Sequence, residues 1–250
     1  MEIIKLDESN IQSEHICCAI SDKKCVTGVY AKKNLIKQAL PKGWTFSKLN
    51  VRGKVFIEYQ PAEESWLPLN GDGYTAINCF WVSGQYKGKG WGKKLLGQCL
   101  DDSESKAGVI AVSSDKKRPF LSDPVFLRRQ GFEVVDEAEP YFKLWCRKND
   151  NSSPDPQFLD SARRGECVDN GGLTVYYSDF CPFPHYWNTV VLSEYAEQMG
   201  IPLDLHKIES RADGRRTPVP WIINSVFFRG KFLTQEIKID KILEKKMNSR

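Results

Sequence analysis

A glycine-rich loop joins a hydrophobic strand to a helix near the middle of this 250-residue chain. The strand is predicted over residues 74–82, the helix over 93–100, and the loop 85–92 reads Gln-Tyr-Lys-Gly-Lys-Gly-Trp-Gly. Glycine lets backbone N–H groups approach a ligand closely. A helix N-terminus adds unpaired N–H groups and the positive end of the helix dipole. The segment therefore predicts an anion-binding turn, suited to a phosphate or pyrophosphate, in an α/β fold.

The spacing of this loop excludes two common phosphate-binding motifs. No Gly-Lys-Ser/Thr closes it, so it is not a P-loop, and Gly-x-Gly-x-Gly is not the dinucleotide fingerprint. With Gln85, Gly88 and Gly90 in the pattern Gln-x-x-Gly-x-Gly, and Val82 three residues upstream, the loop resembles the acyl-CoA pyrophosphate loop of the GNAT acetyltransferase superfamily.

A second segment, residues 123–132, carries the same resemblance. It reads Asp-Pro-Val-Phe-Leu-Arg-Arg-Gln-Gly-Phe and is similar to the last helix of the GNAT fold. Asp123 or Ser122 can cap this helix, Pro124 suits its first turn, and Gly131 suits a left-handed helix stop. The apolar residues 108–114 predict a buried parallel strand before it. The resemblance covers roughly residues 1–147.

The resemblance implies a GNAT acyltransferase fold with a mixed central sheet, and acetyl-CoA as the acyl donor with no metal. The acceptor is expected to be a small-molecule amine or a peptide, which the sequence does not identify. By the same resemblance the donor is held by Phe80, Trp81, Val82, Gln85, Tyr86, Lys87, Gly88, Lys89, Gly90, Trp91, Gly92, Lys93, Ser114 and Phe126.

Catalysis by such an enzyme needs a proton acceptor for the amine, because only a neutral amine attacks the thioester. Glu58, on the strand predicted over residues 54–60, is the candidate base. Many GNAT relatives carry a tyrosine acid four residues before the helix-ending glycine, but Leu127 stands there in this chain. Tyr86 and Tyr141 are candidate substitutes, and direct protonation by solvent is an equal alternative.

A polar segment with two prolines, residues 148–156, predicts a linker before a second unit. We place the domain boundaries at 1–147, 148–172 and 173–250. The second unit has the order β-Cys-helix-β-Pro-ββ-helix and resembles a thioredoxin or glutaredoxin fold, with a cis Val219–Pro220 bond expected. Pro184 replaces the second, resolving cysteine of that fold, so a dithiol cycle is not available there. The whole arrangement resembles GNAT proteins with a YoaP-like C-terminal region.

The eight cysteines give no paired Cys-x-x-Cys motif and no disulfide framework. Cys181 begins a predicted helix, where a thiolate is stabilised, so it is a candidate for a monothiol redox role or for lining the acceptor site. His15, Cys17, Cys18 and Cys25 lie close in sequence. They are interpreted either as ligands of a soft metal or metalloid, as acceptor-pocket residues, or as buried packing.

Charge and local periodicity complete the sequence predictions. Residues 1–150 hold 23 Lys and Arg against 19 Asp and Glu, whereas residues 151–250 hold 13 of each. The surplus suits a polyphosphate ligand, and neither nucleic acid nor a membrane is expected as a partner. Without a signal-peptide pattern, a cytoplasmic location is expected. Residues 8–40 predict two helices, and residues 221–223 and 225–228 a hairpin.

Two other functions fit the same residues. One is an acyl-CoA-binding sensor without catalysis, which the missing tyrosine favours. The other is a redox protein centred on Cys181. The oligomeric state cannot be predicted from these patterns.

Overall fold

The computed structural model describes residues 1–16 and 19–248, and its first unit is built on a seven-stranded mixed sheet. The sheet order is β1-β2-β3-β5-β6-β8-β7, and only β5 and β6 are parallel neighbours. This α/β architecture confirms the predicted fold class. The strands up to residue 158, in chain order, are β1 (Ile3–Lys5), β2 (Thr45–Leu49), β3 (Val55–Pro61), β4 (Leu69–Asn70), β5 (Tyr74–Val82), β6 (Gly108–Ser114), β7 (Glu133–Ala138), β8 (Phe142–Lys148) and β9 (Gln157–Phe158). Of these, β4 and β9 pair with each other outside the large sheet.

Alternating side chains bury both faces of this sheet. On β3, Ile57 belongs to the core under α2 (Trp91–Asp102), whereas Phe56 belongs to the core on the opposite face. Helix α1 (Val26–Ala39) contributes Ile36 to that opposite core, and α3 (Pro124–Arg129) contributes Leu127 to the α2 side. Two apolar faces explain the continuous apolar run over residues 109–112 of β6.

The second unit contains a four-stranded sheet in the order β11-β10-β12-β13. Strand β10 runs parallel to β11 and antiparallel to β12, which pairs with β13. A π-helix, residues 187–192, separates α4 from α5. The element bounds are β10 (Leu173–Ser178), α4 (Pro182–Tyr186), α5 (Ser193–Gln198), β11 (Leu203–Ile208), α6 (Arg211–Gly214), β12 (Asn224–Phe228), β13 (Lys231–Thr234) and α7 (Asp240–Asn248).

The element order of this unit follows the predicted order, and a thioredoxin-like identity stays a prediction. One expected detail is wrong, because the Val219–Pro220 bond is trans, while the cis bond found in the described part of the chain is Glu139–Pro140. The hairpin is also shifted from its predicted place. It joins β12 to β13 through Arg229 and Gly230, both with positive φ, since two such residues match the twist of a tight hairpin turn.

The two units share one core. The Phe180 ring lies 4.9 Å from the Trp44 ring and 5.1 Å from the Trp66 ring. A Cβ placed on Gly28 of α1 would lie 2.2 Å from the carbonyl oxygen of Pro182, so α1 and α4 meet at backbone distance. The predicted linker is packed as well, because β9 pairs with β4 and Phe158 is buried. The domain boundaries themselves stay a prediction.

Of the two helices predicted over residues 8–40, the prediction of the first is wrong. The described residues before 17 form turns. Asp7 causes the difference. Its carboxylate accepts hydrogen bonds from the Ser9 backbone N–H and hydroxyl and from the Asn10 backbone N–H. Such local side-chain bonds compete with helix formation. Among the described residues, no helix has the length and apolar character needed to cross a membrane.

Candidate functional site: an anion turn beside a separated strand pair

The loop after β5 ends in a left-handed turn that starts α2. Gly84, Gly88 and Gly90 have φ angles of 59°, 73° and 80°, and Gly90 occupies the N-cap position before Trp91. A Cβ on any of these glycines would meet open space, so backbone conformation, rather than crowding, requires glycine here. The turn begins a 12-residue helix, whose first N–H groups have no acceptor within the helix.

Positive charge surrounds this turn. Lys87, Lys89, Lys93 and Lys94 are all exposed, and the Lys94 ammonium lies 4.8 Å from the centre of the Trp91 ring. Exposed ammonium groups beside a helix N-terminus favour a bound anion, because their charges add to the helix dipole. These side chains form one positively charged surface around the turn, and an anion site there stays a prediction.

Strands β5 and β6 separate just before the turn. Their parallel ladder runs from the pair Tyr74–Gly108 to the pair Ile77–Ala111, and there it ends. Beyond it, β5 continues to Val82 along β3, and β6 continues to Ser114 along β8. A wedge thus opens between two parallel central strands, at the end of the sheet where β5 leads into the glycine turn.

At the wedge, the side chain of Asn78 has a hydrogen-bond donor without a partner among the described residues. The β3–β5 register shifts between Glu58 and Tyr59, which leaves Asn78 in a bulge. The Asn78 side-chain oxygen accepts a 3.2 Å bond from Gln60, but its buried Nδ2 has no partner among the described residues. On β6, the Ser114 hydroxyl donates to the Lys116 carbonyl oxygen at 2.6 Å.

Apolar side chains line the wedge on the α2 side. The Phe80 and Phe126 rings lie 5.2 Å apart, and a Cβ on Gly92 would lie 3.4 Å from Phe126. The structure therefore brings Phe80, Gly92 and Phe126 together, as predicted for the donor site, and it places Val82 in the same apolar cluster. Trp81 alternates to the other face of β5 and is 41% exposed.

A cavity of about 420 Å³ lies beside the turn, next to Trp81. Its lining includes Trp81, Gln85 and Tyr86, together with Gly53 from the β2–β3 turn. The Gln85 amide donates to the Tyr86 hydroxyl at 3.2 Å. Tyr86 therefore belongs to the wall of this cavity.

The candidate base Glu58 is fully buried and paired with Lys32 of α1. The Lys32 ammonium lies 2.6 Å from Glu58 Oε1, with side-chain exposures of 2% and 0%. Burial raises the pKa of Glu58, while the charge and the hydrogen bond of Lys32 act against that rise. The second carboxylate oxygen, Oε2, has no hydrogen-bond partner within the described residues.

The candidate acid Tyr141 lies far along the chain from Tyr86, in the turn just before β8, whose first residue pairs with the last residue of β6. Its hydroxyl donates to Gln235 of the second unit, and the Arg118 guanidinium stacks 3.6 Å from its ring centre. Burial raises the pKa of Tyr141 to about 12, so this hydroxyl keeps its proton at neutral pH. Leu127, at the position of the usual tyrosine, is completely buried in the α2-side core.

The whole chain is similar to one curated bacterial protein. A family model described as YoaP-like matches residues 202–245. The uncharacterized N-acetyltransferase YoaP of Bacillus subtilis strain 168 is 37% identical over 248 residues, which covers 98% of each chain. The chain belongs to the YoaP family of GNAT N-acetyltransferases. This confirms the family predicted from the two motifs.

Solved acetyltransferase structures are similar to this YoaP-family chain at lower identity. A GNAT-family acetyltransferase from Staphylococcus aureus Mu50 is 17% identical, with a TM-score of 0.42, and covers 60% of this chain and 99% of its own. A GNAT-family acetyltransferase from Brucella melitensis in complex with acetyl-CoA is 16% identical, with a TM-score of 0.39, covering 64% and 96%. Similarities of this strength do not assign a ligand.

The cysteine predictions for this YoaP-family chain have different outcomes. Cys181 is the half-buried N-cap residue of α4, as predicted. Cys17 and Cys18 lie outside the described residues, Cys25 is buried, and His15 Nε2 donates to the Gly53 carbonyl oxygen at 3.0 Å. No group of three or more metal-ligating side chains is found in the described part of the chain.

Several residues at the YoaP-family site were missed by sequence reasoning. Lys32 lies in the middle of an amphipathic helix, where a lysine is normally solvated. Arg118 and Gln235 surround Tyr141 from separate units. No local signal identifies these contacts, since they depend on the packing of distant elements.

Proposed function

We propose that the protein is an acetyl-CoA-dependent N-acetyltransferase that moves the acetyl group of acetyl-CoA to an amine. One observation carries this proposal: the anion turn 84–90 stands at the open end of the wedge between β5 and β6. A pyrophosphate at the turn and a pantetheine arm in the wedge would satisfy both features with one ligand. The unpaired strand edge supplies backbone groups for the arm, and the surrounding lysines balance the phosphates.

The proposed reaction forms one N–C bond and breaks one C–S bond. The neutral amine attacks the thioester carbonyl and CoA leaves as a thiolate. The nitrogen that forms the amide loses one proton to a base, and the thiolate takes up one proton from an acid or from water. Glu58 is our candidate for accepting the amine proton. Tyr86 and Tyr141 are candidates for protonating the thiolate, and the variants Tyr86→Phe and Tyr141→Phe distinguish them by their separate effects on kcat.

Replacing Gly90 tests the donor site. Gly90→Val places a β-branched residue in the left-handed region and moves the first N–H groups of α2. We expect acetyl-CoA affinity, measured by isothermal titration calorimetry, to fall by at least about tenfold, which corresponds to about 1.4 kcal/mol. Acetylation of an amine panel, followed by CoA release, should fall with it.

Two glycines provide matched controls. Gly97→Ala lies in α2, where a Cβ meets open space, and Gly200→Val places the same residue at another exposed left-handed position, φ 61°. Both should bind acetyl-CoA as the unmodified protein does. Normal binding by Gly90→Val, or equal losses in Gly200→Val, would contradict a donor site at this turn.

A further inference from the structure

A second cavity, of about 320 Å³, lies where the two units meet. The first unit contributes Asp22 and Phe120, and the second contributes Phe183, Trp187, Glu236 and Lys238. Its volume is at the small end of the range of about 300–1,000 Å³ for ligand sites. A small molecule fits such a cavity better than a macromolecular segment.

The walls of this cavity combine aromatic faces with the carboxylates of Glu236 and Asp22. Three aromatic side chains line it, and the Lys238 ammonium already lies 4.6 Å from the centre of the Trp187 ring. That contact shows a cation resting on this wall, as the ring quadrupole favours. Glu236 makes no side-chain hydrogen bond and no ion pair within the described residues. The Arg118 charge acts on its carboxylate without bonding to it, so the Glu236 oxygens are available to a ligand.

Unusual backbone geometry holds two of the aromatic walls. Phe120 has a φ of 65°, a conformation that costs a bulky residue energy, and it is nevertheless 38% exposed. The Gln235 amide donates to the Pro119 carbonyl oxygen at 3.0 Å and so fixes the Phe120 segment to the second unit. Trp187 begins the π-helix, a form that is frequent at functional sites.

The cavity lies near the same end of the large sheet as the donor wedge, at the carboxyl ends of β5 and β6. Phe120 follows β6, the strand that forms one side of the wedge, and Tyr141 at the start of β8 contacts Gln235 beside Glu236. An acceptor in this cavity would therefore approach the carboxyl ends of β5 and β6, where the thioester of the proposed donor would lie.

We propose that this inter-unit cavity binds the acceptor, and that the acceptor is a small cationic amine with an aromatic or apolar group. Glu236 contacts the ammonium of the bound acceptor, which loses one proton to a base before its nitrogen attacks the thioester, and Phe120, Phe183 and Trp187 enclose the apolar part. The acceptor assignment rests on the proposed acetyltransferase function, but the binding site itself is tested without acetyl-CoA.

The test uses three probes of similar shape and different charge. Binding of 2-phenylethylamine, 2-phenylethanol and 3-phenylpropanoate to the whole protein is measured by calorimetry. We expect the amine to bind about tenfold more tightly than the alcohol, because a carboxylate contact and a cation–π contact are added. The propanoate should bind more weakly than either. The proposal would be overturned if the amine and the alcohol bound equally well or if the propanoate bound most tightly. It would also be overturned if none of the three probes bound.

Two variants assign the site to this cavity. Glu236→Gln should remove the preference for the amine and leave the alcohol affinity unchanged, whereas the matched control Glu194→Gln, on exposed α5, should change neither. Phe120→Gly should weaken the amine and the alcohol about equally, by several fold, without lowering the thermal midpoint, because glycine adopts the left-handed conformation freely. A preference that survives Glu236→Gln would place the amine elsewhere.

The same variants separate this inference from the proposed function. With acetyl-CoA present, Glu236→Gln should raise the KM for the amine and leave the Kd of acetyl-CoA unchanged. Gly90→Val should raise the Kd of acetyl-CoA and leave the KM for the amine unchanged. Selective amine binding without acetyl-CoA binding would contradict the proposed function alone. Acetyl-CoA turnover with an unaltered amine KM in Glu236→Gln would contradict the inter-unit acceptor site alone.

Discussion

At the scale of single residues, the Lys32–Glu58 pair is the most consequential interaction on the α1 face of the sheet. Both side chains are essentially removed from solvent, and their charged atoms lie 2.6 Å apart. Each charge tolerates burial only because the other is present, since desolvation of an isolated charge costs several kcal/mol. The pair therefore constrains stability whether or not Glu58 also accepts a proton.

Removing one partner of this pair should be costly, and removing both should not. We expect Lys32→Met to lower the free energy of unfolding by about 3–5 kcal/mol, because it leaves a buried carboxylate alone. The double variant Lys32→Met/Glu58→Leu should recover most of that loss in the same urea titration. A double variant no more stable than Lys32→Met would show that the two charges do not compensate each other.

The double variant also tests Glu58 as the base. If Glu58 accepts the amine proton, the folded Lys32→Met/Glu58→Leu variant should acetylate amines with a much lower kcat than the unmodified protein and bind acetyl-CoA with the same affinity. Activity equal to that of the unmodified protein would assign Glu58 a purely structural role. This comparison separates chemistry from folding, which Glu58→Gln alone cannot do.

At the scale of elements, α1 and α4 approach so closely that only glycine fits between them. A Cβ on Gly28 would lie 2.2 Å from the Pro182 carbonyl oxygen. Alanine normally stabilises a helix interior by about 1 kcal/mol relative to glycine. At this contact the two backbones would have to separate.

Two alanine substitutions should therefore have opposite effects. Gly28→Ala should destabilise the protein by about 1–3 kcal/mol through overpacking, whereas Gly97→Ala, whose Cβ meets open space in α2, should stabilise it by up to about 1 kcal/mol. Guanidinium titrations of both variants measure the difference. A stabilising Gly28→Ala would mean that α1 and α4 are not in backbone contact.

Local chemistry explains which elements were predictable from the sequence. The left-handed glycine turn before α2 and the cap at Asp123 depend on residues within one turn of each other. The structure has both, with the Val125 N–H donating to Asp123 at 3.0 Å. The hydrophobic spacing of residues 8–40 predicts a first helix that the described residues before 17 do not form, because the Asp7 carboxylate accepts turn-forming hydrogen bonds there. The Lys32–Glu58 pair and the inter-unit cavity join residues far apart in sequence, so no local pattern specifies them.

At the scale of the whole molecule, the two sheets are joined by a continuous core. Phe180, which is 3% exposed, lies between Trp44 and Trp66 of the first unit. Arg215 of the second unit donates to the Leu69 carbonyl oxygen at 2.6 Å and to the Asn70 side chain at 2.9 Å. A core shared in this way couples the unfolding of the units.

Shortening Phe180 should therefore weaken both units together. We expect Phe180→Ala to lower the free energy of unfolding by about 3–5 kcal/mol, as for other buried phenylalanines. Hydrogen exchange should then accelerate in parallel for the amides of β6, in the large sheet, and of β10, in the small sheet, because both open in one cooperative event. Leu233→Ala, a half-buried change on β13, should affect the small sheet at least as strongly and is the local control. Faster exchange confined to β10–β13 in Phe180→Ala would show two independently unfolding units, and the acceptor cavity between them would then lack a fixed shape.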